Sequence, residues 1–233
     1  MGMIQIRRSN ERGRASFGWL NSRHSFSFGS YYDPAHMGHS VLRVINDDEV
    51  APGAGFDPHG HRDMEIISYV LEGAIEHKDS EGNVQTLPAG EFQLMSAGSG
   101  IMHSEYNASR HEPLRFLQIW VLPNVSGEKP GYQQKDFGRA PGLTAVITPQ
   151  GDGGTLRIKQ DATLYQLLLN TDYPSEQLTL PARKAYVHLI EGELSVNGEV
   201  LSPGDGVAIQ SLNELRFEQQ GDVPVKALVF DLP

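Results

Sequence analysis

Gly53-Ala54-Gly55-Phe56-Asp57-Pro58-His59-Gly60-His61, running into Arg62-Asp63-Met64-Glu65-Ile66-Ile67-Ser68-Tyr69-Val70-Leu71, is the stretch around which the rest of the chain is organised. Side chains two apart on a strand share a face, so a strand here points His59 and His61 the same way and brings two neutral imidazoles together. Further along, Ile101-Met102-His103-Ser104-Glu105-Tyr106 repeats the geometry with an imidazole and a carboxylate two apart. Three nitrogens and one oxygen make a ligand set for a divalent transition metal. A lone His-x-His pair can equally be exposed or simply hydrogen-bonded. The second pair weighs against that reading, because it follows the acidic hairpin Glu76-His77-Lys78-Asp79-Ser80-Glu81-Gly82-Asn83 and a returning strand, which allow a sheet to fold it over the first.

Composition removes several alternatives. The 233 residues suffice for one large or two small domains, each with a useful core. No cysteine is present, which removes thiolate ligands, thiol nucleophiles and disulfides together and leaves a nitrogen-and-oxygen site as the available metal chemistry. A formal net charge of -10, from 19 basic and 29 acidic residues, opposes attraction to phosphate backbones, so direct nucleic-acid binding is not expected. The start, Met1 to Ser9, carries basic residues with no apolar run behind them, and no stretch approaches the roughly 18 apolar residues of a membrane span. The expectation is a cytoplasmic protein without membrane association. No Ser-His-Asp arrangement, Gly-rich phosphate loop or EF-hand spacing competes with the metal reading.

Strand signals recur at short, turn-punctuated intervals: Ile4 to Arg8, Leu42 to Asn46, Met64 to Leu71, Ala74 to Lys78, Val84 to Leu87, Glu91 to Met95 and Leu114 to Leu122. Trp19 to Tyr32 suits extended or irregular structure, and Ala51 to Gly55 reads as a turn. No long helix is predicted, and the rhythm suggests an all-β barrel or sandwich. The second half repeats the first: Ala185 to Leu194 parallels Glu65 to Ala74, and Leu201-Ser202-Pro203-Gly204-Asp205 parallels Leu87-Pro88-Ala89-Gly90-Glu91, as two copies of one fold would. Counting back from Gly192 as from Gly73 places Leu178 and Leu180 where His59 and His61 would be, and Lys184 where Glu65 would be. Eight of the nine histidines lie at or before His111. The expected organisation is therefore a metal-binding domain over 1–123 and a metal-free one over 124–233, with a linker near 124–130 and exchange of terminal strands between them.

Gly53, His59, His61, Glu65 and Gly73, then Gly82, Pro88, Gly90, His103 and Asn107, resemble the two motifs of the cupin superfamily. Both depart from the commonest cupin spacing, and the His103-Ser104-Glu105 arrangement is similar to the pirin family. The similarity continues through Phe26 to Pro34, Leu42 to Asp48, Gln118-Ile119-Trp120-Val121 and the closing Phe230-Asp231-Leu232-Pro233. It covers essentially the whole chain and fits the bacterial pirin-like branch, some of whose members cleave the flavonol quercetin with dioxygen. The resemblance implies an all-β bicupin, two antiparallel jelly-roll barrels with few short helices. It implies a three-histidine, one-glutamate site made of His59, His61, His103 and Glu105 for one divalent transition metal. Fe(II) is the metal implied, with zinc, manganese, nickel, copper and cobalt as acceptable occupants. The implied activity is that of a quercetin 2,3-dioxygenase acting as a monomer on a small aromatic substrate and O2 and releasing carbon monoxide. Glu105 is then the base for the substrate hydroxyl. Two alternatives stay open: a metal-binding regulatory or protein-interaction module, as an animal pirin is, and a cupin-type isomerase working on a small substrate without oxygen.

Other polar residues carry secondary expectations. Glu65 and Asp63 share the face of His61 if the strand is regular, where either could orient an imidazole through its second nitrogen. Gln118 could hydrogen-bond in the pocket. His24, His36 and His39 could line its entrance or lie on the surface, and His77, His111 and His188 read as surface histidines. Wall candidates are Phe56, Met64, Phe92, Met95, Ile101, Met102 and Trp120, of which strand alternation turns about half away.

Overall fold

Short runs of β-branched and aromatic residues alternating with polar ones favour paired, half-buried strands. The computed structural model, which describes residues 2–233, is built almost wholly of them. The first half holds β1 (Met3–Arg7), β2 (Gly13–Ser16), β3 (Leu20–His24), β4 (Leu42–Val50), β5 (Gly55–His61) and β6 (Glu65–Glu72). It continues through β7 (Ala74–Asp79), β8 (Val84–Pro88), β9 (Glu91–Ser96), β10 (Ile101–Asn107), β11 (Leu114–Val121) and β12 (Gly131–Asp136). The second holds β13 (Gly142–Thr148), β14 (Leu156–Arg157), β15 (Thr163–Leu169), β16 (Ser175–Thr179) and β17 (Lys184–Glu191). It closes with β18 (Glu193–Val196), β19 (Glu199–Leu201), β20 (Gly206–Gln210), β21 (Glu214–Gln220) and β22 (Val225–Leu232). Among the described residues the helical elements are two single 3-10 turns, Ser9–Glu11 and Asp152–Gly154.

Two compact units result, and each places a seven-stranded sheet against a four-stranded one. The first unit, Gly13–Phe137 with Ile158–Gln160, has the orders β12-β9-β6-β11-β4-β3-β2 and β5-β10-β7-β8. The second takes the chain up to Arg12, Gly138–Arg157 and Asp161–Pro233, with the orders β1-β20-β17-β22-β15-β13-β14 and β16-β21-β18-β19. Strand for strand the orders correspond, which is the duplication seen in the sequence. Gly73 and Gly192 close equivalent turns at φ 79° and 80°. A Cβ there would meet a backbone oxygen, of Pro113 at 3.0 Å or Pro224 at 2.6 Å, so both turns require glycine.

These units differ from a division between 123 and 124. The segment 124–130 does loop, but β12 beyond it extends the first sheet beside β9, while β1 lies beside β20 in the second. An edge strand takes whatever open backbone edge adjoins it, and its own side-chain pattern does not name the partner. Nor is His188 on the surface: it is buried within β17.

The interiors differ in chemistry. In the second barrel Val187, Leu189, Leu194, Val207, Phe217 and Val229 belong to one continuous apolar cluster. In the first, Ile66, Met95, Ala97 and Ile101 form one cluster, and Val50, Val70, Ile75, Leu87, Leu114 and Phe116 belong to another. Between them in sheet register lie Asn46, Ser68, Gln93 and Gln118, all buried.

Candidate metal centre

The hairpin geometry of the four-stranded sheet assembles the site. β10 pairs with β5 so that His103 faces His59, and a register shift between His103 and Glu105 sets Glu105 opposite Phe56. On its other side β10 pairs with β7, placing Asp79 opposite His103 and His77 opposite Glu105. Alternation then sends His59, His61, His103, Glu105, His77 and Asp79 toward one face.

The imidazole of His59 has its Nδ1 2.8 Å from the Asp57 carbonyl oxygen. A carbonyl can only accept, so Nδ1 carries the proton and Nε2 presents a lone pair. His103 Nε2 lies 3.1 Å from His59 Nε2 and 3.1 Å from His61 Nε2. No placement of ring protons turns both contacts into hydrogen bonds, since His103 Nε2 either carries a proton or accepts one. A shared cation satisfies all three nitrogens. Nitrogens about 2.1 Å from one ion lie about 3.0 Å apart at right angles and about 3.4 Å apart in a tetrahedron. The two 3.1 Å spacings are short enough for one ion to reach these nitrogens. Burial, with the neighbouring imidazole of His59, lowers His61 to about 4. Burial and the imidazoles around it lower His103 to about 2. Both rings are therefore neutral near pH 7, the state in which imidazole ligates.

Glu105 belongs to a second group, with His77 and His103, whose ligand atoms lie within 4.8 Å of one another. Its carboxyl accepts from Ser68 Oγ at 3.1 Å and Gln118 Nε2 at 3.4 Å. Burial raises it to about 7 against those two bonds. An adjacent divalent cation favours its ionised form, so the donor set suits a metal.

His77 is the member that sequence reasoning missed. Its side chain is fully buried, with Nε2 2.9 Å from Asp79 Oδ2 and its ring 5.4 Å from that of His103. Asp79 Oδ1 in turn accepts from the backbone nitrogens of Glu81 and Asn83, so this pair ties the β7–β8 turn to the centre. Alternation was the available signal: Ile75, His77 and Asp79 are buried while Glu76 and Lys78 are exposed.

Glu65 and Asp63 do not orient His61. Asp63 adopts a left-handed φ of 47°, which ends β5 and breaks the regular strand that the expectation required. Its carboxylate accepts from Gly127 N at 2.7 Å. Glu65, 1% exposed, accepts from Ser96 Oγ and Lys159 N instead. His24 lies in the barrel interior, its Nδ1 2.6 Å from Asn46 Oδ1, and His36 pairs with Asp33. His39 is buried and His111 exposed. Trp120 packs edge-on against His61, and Met64 and Trp120 adjoin the cluster containing Met95 and Ile101. Phe56 contacts His59. Phe92 stacks on Tyr69, and Met102 is exposed. A depression of about 390 Å³ opens beside His61, lined by Gly60, Arg62, Ser80, Gly100, Ile101 and Met102.

Asp48, on β4 in the same interior, is raised to about 7 by burial against a hydrogen bond from Ser22, with the charges of Asp47 and Glu105 adding to the rise. Unfolded, the group titrates near 3.8, so the native state binds more protons across the interval and stability falls as pH rises through it. Thermal melts of the metal-free protein between about pH 4 and pH 7 are expected to show this fall, and Asp48→Asn to flatten it and raise the midpoint at pH 7. Parallel wild-type and variant curves would contradict the assignment.

Fold and site together define a two-barrel cupin with its metal-competent cluster in the first barrel. The pirin family profile matches residues 5–121, and that of the quercetinase C-terminal cupin domain matches residues 145–232. The chain is 46% identical over 231 residues to a quercetin 2,3-dioxygenase of Escherichia coli K12, covering 99% of each. It belongs to the pirin family. The crystal structure of YhhW from Escherichia coli superposes with a TM-score of 0.96 at 46% identity, over 99% of this chain and 98% of that one. The nickel(II) complex of bacterial pirin YhhW gives 0.95 at 45% identity, over 99% of both chains. The family implies a divalent metal, and the histidine cluster of this chain lies in the first barrel.

Proposed function

We propose that this protein is a metal-dependent dioxygenase that cleaves quercetin or a related flavonol with O2 and releases carbon monoxide, with His59, His61, His103 and Glu105 holding the metal. The observation that carries the reading is the convergence of three imidazole nitrogens beside a buried carboxyl, in a chain matched along its length by a quercetin 2,3-dioxygenase. Iron(II) is the proposed ion; nickel(II) is the ion in the YhhW complex. A redox-capable divalent metal supplies Lewis acidity toward the flavonol hydroxyl oxygen and a route for electrons to dioxygen. The rest falls to the protein. Glu105 takes the hydroxyl proton on a carboxylate oxygen, and Ser68 and Gln118 hold that carboxylate in place. Trp120, Ile101 and Met95 supply an apolar wall beside the histidines that excludes water and accepts an aromatic ring. No helix among the described residues is long and apolar enough to cross a membrane, and we propose a monomer acting in the cytoplasm.

Metal-loaded protein mixed with quercetin is expected to lose flavonol absorbance in step with oxygen uptake, and Glu105→Gln to slow turnover at least tenfold, within the usual reach of general-base catalysis. Oxygen uptake no greater than that of the metal-free control would refute the dioxygenase. Turnover in strictly anaerobic buffer would indicate an isomerase, and metal-dependent binding of a protein partner without turnover a regulatory module. Unchanged turnover by a fully loaded Glu105→Gln protein would remove the base role alone.

A further inference from the structure

The two barrels are internal controls for each other. Across the large sheet of the first barrel one rung reads Gln134, Gln93, Ser68, Gln118, Asn46, His24, each residue in register with the next. The corresponding rung of the second barrel follows the same strand order and reads Ile6, Val207, Val187, Val229, Tyr165, Ala145. Ser68 and Val187 each stand five residues before the matching glycines, Gly73 and Gly192, which fixes the alignment. One fold thus packs this layer with mainly apolar side chains in one copy and with polar side chains throughout in the other. The layer is not required to be polar by the architecture.

Most of the polar rung has visible partners. Ser68 and Gln118 hold Glu105, His24 pairs with Asn46, and Gln134 donates to Thr86 O and Glu91 and accepts from Tyr132. Gln93 stands apart. It is 0% exposed, and neither its Oε1 nor its Nε2 has a hydrogen-bond partner among the described residues. It shares its inward face with Met95, which packs with Ile66 and Ile101, and it is paired with Ser68, whose hydroxyl reaches Glu105. An amide buried with both ends unpaired costs free energy at each end. Retaining it where the twin barrel uses Val207 implies a ligand.

We infer that the Gln93 amide anchors an interior hydroxyl-binding subsite adjoining Glu105, offering one donor and one acceptor to an O–H group. A hydroxyl matches that pair because it donates and accepts through one atom. It arrives either on a ring of a hydroxylated substrate or as a water bridging Gln93 toward the Ser68–Glu105 pair. The substrate source rests on the flavonol reading; the water source does not.

Two measurements separate the sources. High-resolution crystallography of the metal-loaded protein without substrate is expected to show an ordered oxygen within hydrogen-bond distance of both Gln93 side-chain atoms if the group is water. Anaerobic binding of quercetin and of 3-hydroxyflavone, which lacks the other hydroxyls, is then compared in wild type and in Gln93→Met, a substitution of similar shape. If the group belongs to the substrate, the preference for quercetin falls about tenfold in Gln93→Met while 3-hydroxyflavone binds as before. No ordered oxygen, an unchanged preference and a raised melting temperature in Gln93→Met would overturn the subsite, because a dry orphaned amide is improved by an apolar replacement. The wild-type density and the wild-type preference remain informative if the variant does not fold. Neither requires turnover, so a protein that consumes no oxygen with quercetin would refute the dioxygenase and leave the subsite to be judged on these results.

Discussion

His103→Ala is expected to remove the bound metal and, with it, all oxygen uptake. Its Nε2 is 3.1 Å from both other nitrogens, so it is the common vertex of the cluster, and the ring sits on the strand whose register sets the others. Losing an outer partner of a metal ligand costs roughly 10–100-fold in affinity, and loss of a direct nitrogen donor exceeds that. Elemental analysis should give about one equivalent per wild-type chain and almost none for the variant, with the fold retained in circular dichroism. Leu180→Ala is the control. By count from Gly192 it holds the place of His61, and register places Leu215 and Phe217 where His103 and Glu105 stand in the first barrel. The metal content of that variant should match wild type. Two equivalents per chain, one lost in each variant, would refute the assignment to a single barrel.

The candidate cluster was legible because its members obey the period of a strand. His59 and His61, then His103 and Glu105, stand two apart in segments that pair, so spacing alone put them on one face. What failed was continuity across Asp63. Glu65 shares the face of His61 only if one regular strand runs through Asp63, yet the left-handed turn there splits it and turns Glu65 to the side of Ser96 and Lys159. Single non-glycine residues at positive φ leave little trace in sequence. His77 was hidden for another reason: Glu76, Lys78 and Glu81 around it read as a solvated hairpin, although the same alternation that exposed His59 and His61 turned His77 inward. An exchange of terminal strands is expected from the sequence, but which sheet edge β1 and β12 each join depends on where that sheet is open, a property of the assembled fold that neither strand encodes alone.

Gly55→Ala is expected to damage stability and metal binding together, although Gly55 is not among the proposed ligands. Gly55 pairs with Tyr106 where β5 meets β10. A Cβ on it would lie 2.4 Å from the Glu105 carbonyl oxygen and 2.5 Å from the Tyr106 Cα, both backbone atoms that no rotamer change can move. Relief requires the strands to separate, and those strands carry His59 and His61 on one side and His103 and Glu105 on the other. Overpacking of this kind costs about 1–3 kcal/mol, and a protein of this size loses about 2–4 °C of melting temperature per kcal/mol. Displacing ligands by a fraction of an ångström should weaken metal affinity at least tenfold, since a donor set holds its ion only near its ideal distances. Gly60→Ala provides the contrast on the same strand. Its Cβ would meet Met102 Sδ at 3.1 Å, the mobile end of an exposed side chain, which can swing aside. Thermal melts and metal titrations of the two variants should therefore diverge, with Gly60→Ala close to wild type. A Gly55→Ala protein that kept both its melting temperature and its metal affinity would mean that the close approach of β5 to β10 does not set the ligand geometry.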